Sequence, residues 1–323
     1  AREGTVQSIE FRPPFPESRA ARLVLPAGLA DDAGRTLENA SRFPLEVRVD
    51  AFPPLAKFSG SFGILESREG GVLPVTVRRL EPQVMAQRVE MPAKLVRVDA
   101  DPARIAQWVR RVEEAGQRRG EYVENADGGR WREDTGNRSV FGEGDAPTTL
   151  ALPAPGDLGE TQVVGIPLPQ SGFYVVEIES RVLGRSLLGR DESRFVATSA
   201  LVTNLAVHFK WGRESSLVWV TRLHDGAPVG GAEVSIANWC TGEPLWAGLT
   251  DAQGIARVPR SLGQPHESTG CGYAPRSPLM VLARHRDDFS FTQSGWGEGL
   301  QPEDFGLRRE WEEPAGLFHT VLD

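Results

Sequence analysis

The sequence predicts an all-β fold made of tandem β-sandwiches with one short helical insertion. Glycine and proline are frequent, with 35 and 24 residues among 323, and both punctuate short strands and turns. Residues 45–49, LEVRV, alternate apolar and charged side chains with period two, as a strand with one buried face does. Residues 200–239 contain three strong strands separated by turns, a spacing typical of a sandwich.

Residues 1–54 are predicted to form a small β-sandwich or part of one. Strands are expected at residues 5–11, 22–25 and 45–49, with a turn at residues 31–34 whose glycine can adopt a positive φ. Pro53 and Pro54 mark the boundary of this unit, because consecutive prolines cannot continue a hydrogen-bonded ladder.

Residues 55–198 are predicted to form a second sandwich, which contains the helical insertion. Asp101 is a good N-cap, and Pro102 suits the first position of a helix. Apolar residues then recur at i, i+3, i+4 and i+7, which places them on one helix face: Ile105, Trp108, Val109 and Val112. A helix is therefore expected at residues 102–115, packed on a sheet.

The remainder of this second unit combines an irregular segment with regular strands. Residues 121–145 are polar and glycine-rich without periodicity, so they are predicted to be a loop insertion. Strands are expected again at residues 148–152, 162–168 and 173–182. In the last of these, Tyr174, Val176 and Ile178 share one face of the strand.

Residues 199–292 are predicted to form a third sandwich. The segment TDAQG at residues 250–254 resembles a hairpin loop with Gly254 in the left-handed conformation. Closing strands are expected at residues 278–284 and 288–292. Residues 293–323 are predicted to be a linker or strap that leads to a further domain.

Patterns that support catalysis or metal binding are missing from the sequence. Ser61 lies in SGSFG, which lacks the first glycine of a nucleophile elbow, and GWGEGL at residues 295–300 is not preceded by a strand and followed by a helix. None of the histidines lies in a zinc-protease motif: His208, His224, His266, His285 and His319. We therefore predict no catalytic residue, no metal site, no cofactor and no enzymatic activity.

Tryptophans in the third unit have two interpretations. Their positions fit packing into sandwich cores or between domains, whereas exposed rings would form a carbohydrate-binding platform. The residues concerned are Trp211, Trp219, Trp239 and Trp246.

Charge and hydropathy exclude several function classes. The net charge is −8 and the pI about 5.4, the opposite of a basic nucleic-acid-binding surface. No apolar run approaches the roughly 18 residues that span a bilayer, so membrane association is expected only through regions outside this chain. The chain shows no signal peptide, and we interpret it as a mature or trimmed part of a longer exported protein.

The two cysteines, Cys240 and Cys271, both fall in the third unit, 31 residues apart. An even pair inside one β domain of an exported protein indicates a disulfide, which would stabilise the domain by roughly 3–4 kcal/mol. A zinc site is disfavoured, because only His266 lies between them and tetrahedral zinc requires four ligands. Two free buried thiols in a cytosolic protein remain the alternative.

Four short motifs of the third unit resemble a macroglobulin (MG) domain of bacterial α2-macroglobulins. They are LVTNL at residues 201–205, VWVT at 218–221, GAPVGGAEV at 226–234 and TDAQG at 250–254. Residues 58–66 with 73–78 resemble the start of another such domain, and residues 278–307 resemble the connection to the next one. The resemblance implies immunoglobulin- or fibronectin-like sandwiches, here MG domains.

The resemblance also implies a function. Proteins of this family form periplasmic or envelope cages that trap host or rival proteases after cleavage of a bait segment, so proteases are the expected partners of the full-length protein, with other envelope proteins as further candidates. Some members carry a Gly-Cys-x-Glu-Gln thioester. Here Tyr273 and Ala274 follow Gly270–Cys271–Gly272 in place of Glu-Gln, so no thioester can form, and no bait segment is identifiable. The alternatives are the immunoglobulin-like repeats of a surface adhesin or carbohydrate-binding protein, and an accessory region of a secreted enzyme.

Overall fold

The computed structural model describes residues 10–296, except for residues 13–14, 27, 32, 81–90, 118–120, 125–129, 134–135, 153–160 and 264–277. Within these residues the chain forms nineteen strands and two α-helices. The first eight strands are β1 Arg19–Leu23, β2 Leu45–Val49, β3 Leu55–Phe58, β4 Phe62–Glu66, β5 Val72–Arg78, β6 Met91–Val98, β7 Glu121–Glu124 and β8 Arg130–Glu133.

The remaining strands are β9 Thr148–Leu152, β10 Gln162–Pro167, β11 Gly172–Ser180, β12 Arg194–Thr203, β13 Leu205–Lys210, β14 Ser216–Arg222, β15 Glu233–Asn238, β16 Pro244–Leu249, β17 Ile255–Val258, β18 Leu279–His285 and β19 Asp288–Gln293. The helices are α1 Pro102–Gln117 and α2 Arg181–Leu188. The predicted all-β class with a short helical insertion is confirmed.

An antiparallel pair, β1 and β2, forms the N-terminal ribbon. The predicted strand at residues 45–49 coincides with β2, whereas most of the strand predicted at residues 5–11 lies outside the described residues. The turn at residues 31–34 forms as expected: Asp31 accepts hydrogen bonds from the backbone N–H groups of Ala33 and Arg35, and Gly34 has φ +74°. None of the described residues between 10 and 52 is buried.

The first sandwich pairs a three-stranded sheet, in the order β10-β5-β3, with a five-stranded sheet, in the order β4-β12-β11-β6-β9. All neighbours are antiparallel except β4 and β12, which are parallel. Alternate residues of the facing strands fill the space between the sheets, including Val75, Val77, Ile166, Val176 and Ile178.

The second sandwich packs a three-stranded sheet, in the order β13-β14-β17, on a four-stranded sheet, in the order β16-β15-β18-β19. Its interior includes Val218, Val220, Val234, Ile236 and Val281, all of them buried. The predicted turn at residues 250–254 forms: Gly254 has φ +75°, and Asp251 accepts hydrogen bonds from the N–H groups of Gln253 and Ile255. The prediction that this turn closes a hairpin is wrong, because it joins β16 and β17, which belong to different sheets.

The predicted helix is present as α1. The Asp101 carboxylate accepts a hydrogen bond from the Arg104 N–H at 3.0 Å, which is N-capping geometry. The four residues expected on its apolar face are all buried: Ile105, Trp108, Val109 and Val112. Its amphipathic pattern therefore predicted both its existence and its buried side.

Helix α2 is an element that the sequence analysis missed. A strand was expected to run to residue 182, but β11 ends at Ser180, whose side chain caps α2 by accepting the Leu183 N–H at 3.0 Å. Gly184 lies inside this helix, and because glycine is unfavourable in helix interiors, the sequence did not indicate a helix here. The available signals were the capping serine and Gly189, which ends α2 at φ +65°.

Two further segments differ from expectation. Residues 121–145, predicted to be an irregular loop, contain the antiparallel pair β7 and β8. Strand β12 runs across the predicted boundary between residues 198 and 199, because it pairs with β11 and β4 of the first sandwich. The chain passes to the second sandwich at Asn204, and we therefore propose Asn204 as the domain boundary.

Two helical glycines provide a test of the close packing around α2. A Cβ at Gly184 would overlap the backbone carbonyl oxygen of Glu192, whereas a Cβ at Gly116 in α1 would meet open space. We expect Gly184→Ala to lower the free energy of unfolding by about 1–3 kcal/mol through overpacking. Gly116→Ala should raise it by up to about 1 kcal/mol through helix propensity. Urea denaturation measures both, and an equal effect of the two substitutions would contradict the packing described.

Candidate functional site at the junction between the two sandwiches

The described residues include side chains of the types that ligate metals. Among them, no three His, Cys, Asp or Glu side chains are grouped so that they could hold a metal ion. His208 stacks beside Trp219, with ring centroids 5.2 Å apart, and His224 contacts Asn204. His266 and His319 lie outside the described residues. None of the helices in the described part of the chain combines the length and the apolar character needed to cross a bilayer.

The most extensive feature of this junction is an apolar core that lies outside the interiors of the two sandwiches. The five-stranded sheet is apolar on both faces, so that β11 is buried along almost its whole length. Helix α1 covers the outer face together with β18 and β19 of the second sandwich. This junction core consists of Val98, Ile105, Ala106, Trp108, Val109, Val112, Val140, Phe173, Val175, Leu201, Trp239, Met280, Leu282, Phe289 and Phe291.

Aromatic rings join the two sandwiches at one side of the junction core. Phe62 of β4 lies 5.5 Å from Phe291 of β19, measured between ring centroids, and Phe173 of β11 lies 5.9 Å from Phe291. Trp296 stacks on Phe62 at 5.0 Å and approaches Trp239 at 6.5 Å. Such contacts add about 0.5–1.5 kcal/mol per pair beyond the burial of area, so they favour one relative placement of the sandwiches.

Polar contacts fix α1 against the second sandwich. Arg110 donates a hydrogen bond from Nη1 to the carbonyl oxygen of Trp239 at 2.6 Å. In the turn that follows, Gly242 has φ +74°, and a Cβ there would lie 3.0 Å from the Cβ of Ala103. A side chain at Gly242 would therefore be strained and would press on α1.

The linker residue Asn204 is held by groups of the second sandwich. Its N–H donates to Asp288 Oδ2 at 2.8 Å, and its Oδ1 contacts His224 Nδ1 at 2.9 Å. Its carbonyl oxygen accepts from the Leu223 N–H at 2.8 Å. A single residue that connects two sandwiches is thereby fixed at its amide, its carbonyl and its side chain.

A cleft of about 700 Å³ lies beside this linker and carries both signs of charge. Its cationic lining includes Arg97, which donates to the carbonyl oxygen of Ser171, and Arg222, which donates twice to Asp225. The hydrogen bonds from Arg222 hold the pKa of the Asp225 carboxyl well below its usual range. Both of these guanidinium groups therefore already have partners within the protein.

A buried carboxylate holds residues 139–140, a segment that also contacts α1. Glu177 of β11 is 1% exposed, and it accepts hydrogen bonds from Ser139 Oγ at 2.6 Å and from the Val140 N–H at 2.5 Å. Burial raises the pKa of this carboxyl. Arg111 of α1 donates to the carbonyl oxygen of Val140, so the segment is held by both β11 and the helix.

The cysteines and tryptophans named in the sequence analysis differ in where the structure places them. Cys240 packs against the junction core, whereas Cys271 lies outside the described residues, so the Cys240–Cys271 disulfide stays a prediction. Trp239 is buried in the junction, and Trp211 and Trp246 pack against the interior of the second sandwich. Of these four tryptophans only Trp219 is exposed, at 41%, and its Nε1 donates to the carbonyl oxygen of Gln253. Packing therefore accounts for most of them.

Sequence reasoning missed the junction core. The signal was the apolar residues on both faces of residues 172–180, where Phe173 and Val175 alternate with Tyr174, Val176 and Ile178. A strand that is apolar on both faces is typical of a sheet covered on both sides.

Comparison with known proteins gives a match for the second sandwich and its C-terminal extension. Residues 202–312 match the family model described as the bacterial alpha-2-macroglobulin MG3 domain. An alpha-2-macroglobulin homolog from Nostoc sp. (strain PCC 7120) is 29% identical over 185 residues, which are 50% of this chain and 10% of the relative. The chain thus spans about a tenth of the length of this curated relative.

Solved structures give a broader and weaker likeness. A crystal structure of native alpha-2-macroglobulin from Escherichia coli, spanning domains MG0-NIE-MG1, is 17% identical with a TM-score of 0.46; the match covers 77% of this chain and 66% of that one. A Salmonella alpha-2-macroglobulin reacted with methylamine is 14% identical with a TM-score of 0.43, over 77% of this chain and 12% of that one.

Coupling across the junction can be measured with a double-mutant cycle. Phe62→Ala and Phe291→Ala each remove one ring of a pair that joins the two sandwiches. We expect a coupling energy of about 0.5–1.5 kcal/mol between them, measured by urea denaturation. Phe62→Ala combined with Val258→Ala, inside the second sandwich, is the control and should be additive. Additivity of the phenylalanine pair would contradict a ring contact that holds the sandwiches together.

The Glu177 carboxyl predicts a specific pH dependence. Its folded-state pKa lies above its ordinary value of 4.5, so its stabilising contribution is complete below that value and is lost as the pH rises through the folded pKa. The free energy of unfolding of the natural protein, relative to Glu177→Gln, should therefore increase as the pH falls from 7 towards 4.5. Urea denaturation at a series of pH values measures this difference.

The exposed Glu69 offers a matched control, since Glu69→Gln changes a carboxyl that no segment covers. A difference between the natural protein and Glu177→Gln that stays constant, or that shrinks as the pH falls, would contradict the burial described.

Proposed function

We propose that this chain is part of the rigid frame of a protease-trapping inhibitor, because residues 202–312 match the model of the bacterial alpha-2-macroglobulin MG3 domain. The family match carries the proposal, and the junction core gives it a physical basis. The role is structural: this part of the protein holds neighbouring domains in place, and it performs no chemistry on a substrate.

A frame of this kind needs domains that do not swing relative to one another. Interfaces between domains of one chain are usually small and polar, and relative motion is then the default expectation. Here five buried apolar residues of the second sandwich, Trp239, Met280, Leu282, Phe289 and Phe291, join the junction core, and a cluster of aromatic rings crosses between the sandwiches. The contact between the sandwiches is therefore a shared core. A shared core is consistent with the proposal of a cage that keeps its shape around a captured protease.

The proposed location is the periplasm or the cell envelope of a bacterium. The family match supports this location, and an oxidising compartment of this kind would allow the predicted disulfide to persist. The partners would be endopeptidases captured by the full-length protein, and other envelope proteins are further candidates. These properties belong to the whole protein, of which this chain supplies frame domains.

A surface adhesin or carbohydrate-binding array is the second candidate. It would require aromatic rings presented to solvent, and of the four tryptophans considered Trp219 is the most exposed, at 41%. A single exposed ring, already paired with His208, supports this candidate less well than the family match supports the first.

Trapping can be tested with the full-length natural protein and a panel of endopeptidases of different specificity. A trapped protease stays active on a small chromogenic peptide but can no longer reach a large protein substrate, so the two activities should separate. Equal inhibition of both substrates would indicate an active-site inhibitor, and no inhibition together with glycan binding would indicate the adhesin. Either result overturns the proposal.

Two matched substitutions connect trapping to the junction. Met280→Ala removes a buried side chain from the junction core, whereas Val163→Ala changes a side chain that is 69% exposed on β10. We expect Met280→Ala to reduce trapping and Val163→Ala to preserve it, with folding of both checked by circular dichroism. Equal trapping by the two folded variants would contradict a role of the junction.

The predicted disulfide has its own readout. Alkylation without reductant should add no label to Cys240 or Cys271, and alkylation after reduction should label both, as detected by mass spectrometry. Reduction should lower the free energy of unfolding by roughly 3 kcal/mol, because a loop of this length is no longer closed in the unfolded chain. Labelling of both cysteines without reductant would show that the bond is absent.

A further inference from the structure

The N-terminal ribbon, β1 and β2, has no interior of its own. In the described part of residues 10–52 every side chain is exposed or half-exposed. Of the sixteen large hydrophobic residues that are exposed among those the structure describes, eight fall in this stretch, so the apolar surface is concentrated here: Phe11, Phe15, Val24, Leu29, Leu37, Leu45, Val47 and Phe52. The two sandwiches, by contrast, bury the apolar faces of their sheets.

The apolar side chains of the ribbon lie on one face. The register pairs Leu23 with Leu45 and Ala21 with Val47, which places these four residues on the same side of the ribbon. The opposite side carries the cross-strand pair Arg22 and Glu46, followed by Arg48. This pattern is that of a sheet whose one face packs on a core while the other faces water.

An apolar groove of about 320 Å³ extends the uncovered surface beyond the end of the strands. Its lining includes Val24, Leu25, Leu29, Leu37 and Phe43. Since Val24 and Leu25 directly follow β1, the groove and the apolar face of the ribbon form one continuous surface.

The contacts between the ribbon unit and the first sandwich are polar and lie at its base. Arg79 donates from Nη2 to Glu17 Oε2 at 2.5 Å, and the same carboxylate oxygen accepts from the Phe52 N–H at 3.2 Å. These contacts leave Leu45 and Val47 more than 40% exposed. A two-stranded ribbon with an uncovered apolar face is marginally stable in water, so this unit requires a cover.

We propose that the apolar face of the ribbon is the docking surface for a second β-sheet layer, contributed by a part of the full-length protein outside this chain. The occupant would be two or more strands of alternating apolar and polar residues, which would complete a third sandwich. The inference rests on the proposed function only in placing this chain in a longer protein. This chain spans 10% of its curated relative, so ample chain length is available for such a layer.

A second copy of this chain is the less suitable occupant. The ribbon offers four paired apolar side chains and a short groove, whereas stable protein–protein interfaces engage roughly 20–30 residues on each side. A sheet layer from the same polypeptide needs no such area, because its association is intramolecular and its effective concentration is high.

Hydrogen exchange followed by mass spectrometry tests the proposal, comparing the 323-residue chain with the full-length natural protein. In the chain alone, amides of β1 and β2 should exchange with protection factors below about 10, as a marginal ribbon does. In the full-length protein the same amides should be protected at least about 100-fold more strongly. The strands of the second sandwich are the internal control and should exchange alike in both proteins.

Two neighbouring substitutions identify the face. Val47→Gln, on the apolar side, should reduce the gain in protection at least tenfold in the full-length protein, whereas Arg48→Gln, on the charged side, should leave it within about twofold. Equal exchange of the ribbon in the two proteins, or equal effects of the two substitutions, would overturn the proposal.

Protection that instead appears in the 323-residue chain as its concentration rises, together with a dimeric mass, would identify a second copy as the occupant and would also overturn it. These outcomes are independent of the protease assay, because an adhesin could complete its sandwich in the same way.

Discussion

The apolar outer face of the five-stranded sheet is the constraint on which the arrangement of this protein depends. Strands β11 and β12 bury residues on both sides, so the sheet must be covered twice. The three-stranded sheet of the first sandwich covers one face, and α1 with β18 and β19 covers the other. One sheet thereby belongs to two cores, and the second sandwich cannot move away without separating the packed rings of Phe173 and Phe291 and exposing them to water.

Polar groups make this apolar contact specific. Hydrophobic burial is non-directional, so by itself it would tolerate several orientations of the two sandwiches. The hydrogen bond from Arg110 to the carbonyl oxygen of Trp239, and those around Asn204, have fixed geometry and select one orientation. Glu177 plays the same role for residues 139–140, which it holds between β11 and α1. The junction therefore combines a large apolar contact with a few directional bonds.

The sequence predicts local elements well where one periodicity dominates. Strands β2 and β9 and the buried face of α1 follow directly from alternation or helical spacing, and the Gly254 turn follows from its residue types. Four short motifs resemble MG domains, and the model that residues 202–312 match also describes an MG domain.

Other features of the fold depend on contacts between distant parts of the chain, which no local sequence pattern predicts. Asn204 separates two strands of different sheets in a stretch that reads as one strand, because both strands are apolar. Helix α2 was hidden by Gly184, which is present because the backbone of Glu192 passes too close for any side chain. By sequence pattern alone, Glu177 would be predicted to be a solvent-facing residue of a strand. It is buried because residues 139–140, nearly forty residues earlier, pack over it.

The most direct measurement is the transmission of a local destabilisation from one sandwich to the other. Val258→Ala weakens the interior of the second sandwich, where Val258 is fully buried among residues of that sandwich. If the junction core makes the sandwiches one cooperative unit, hydrogen exchange by global unfolding should accelerate by the same factor in β5 of the first sandwich and in β14 of the second. Acceleration confined to β14, with β5 unchanged, would show two independent domains and would contradict the account.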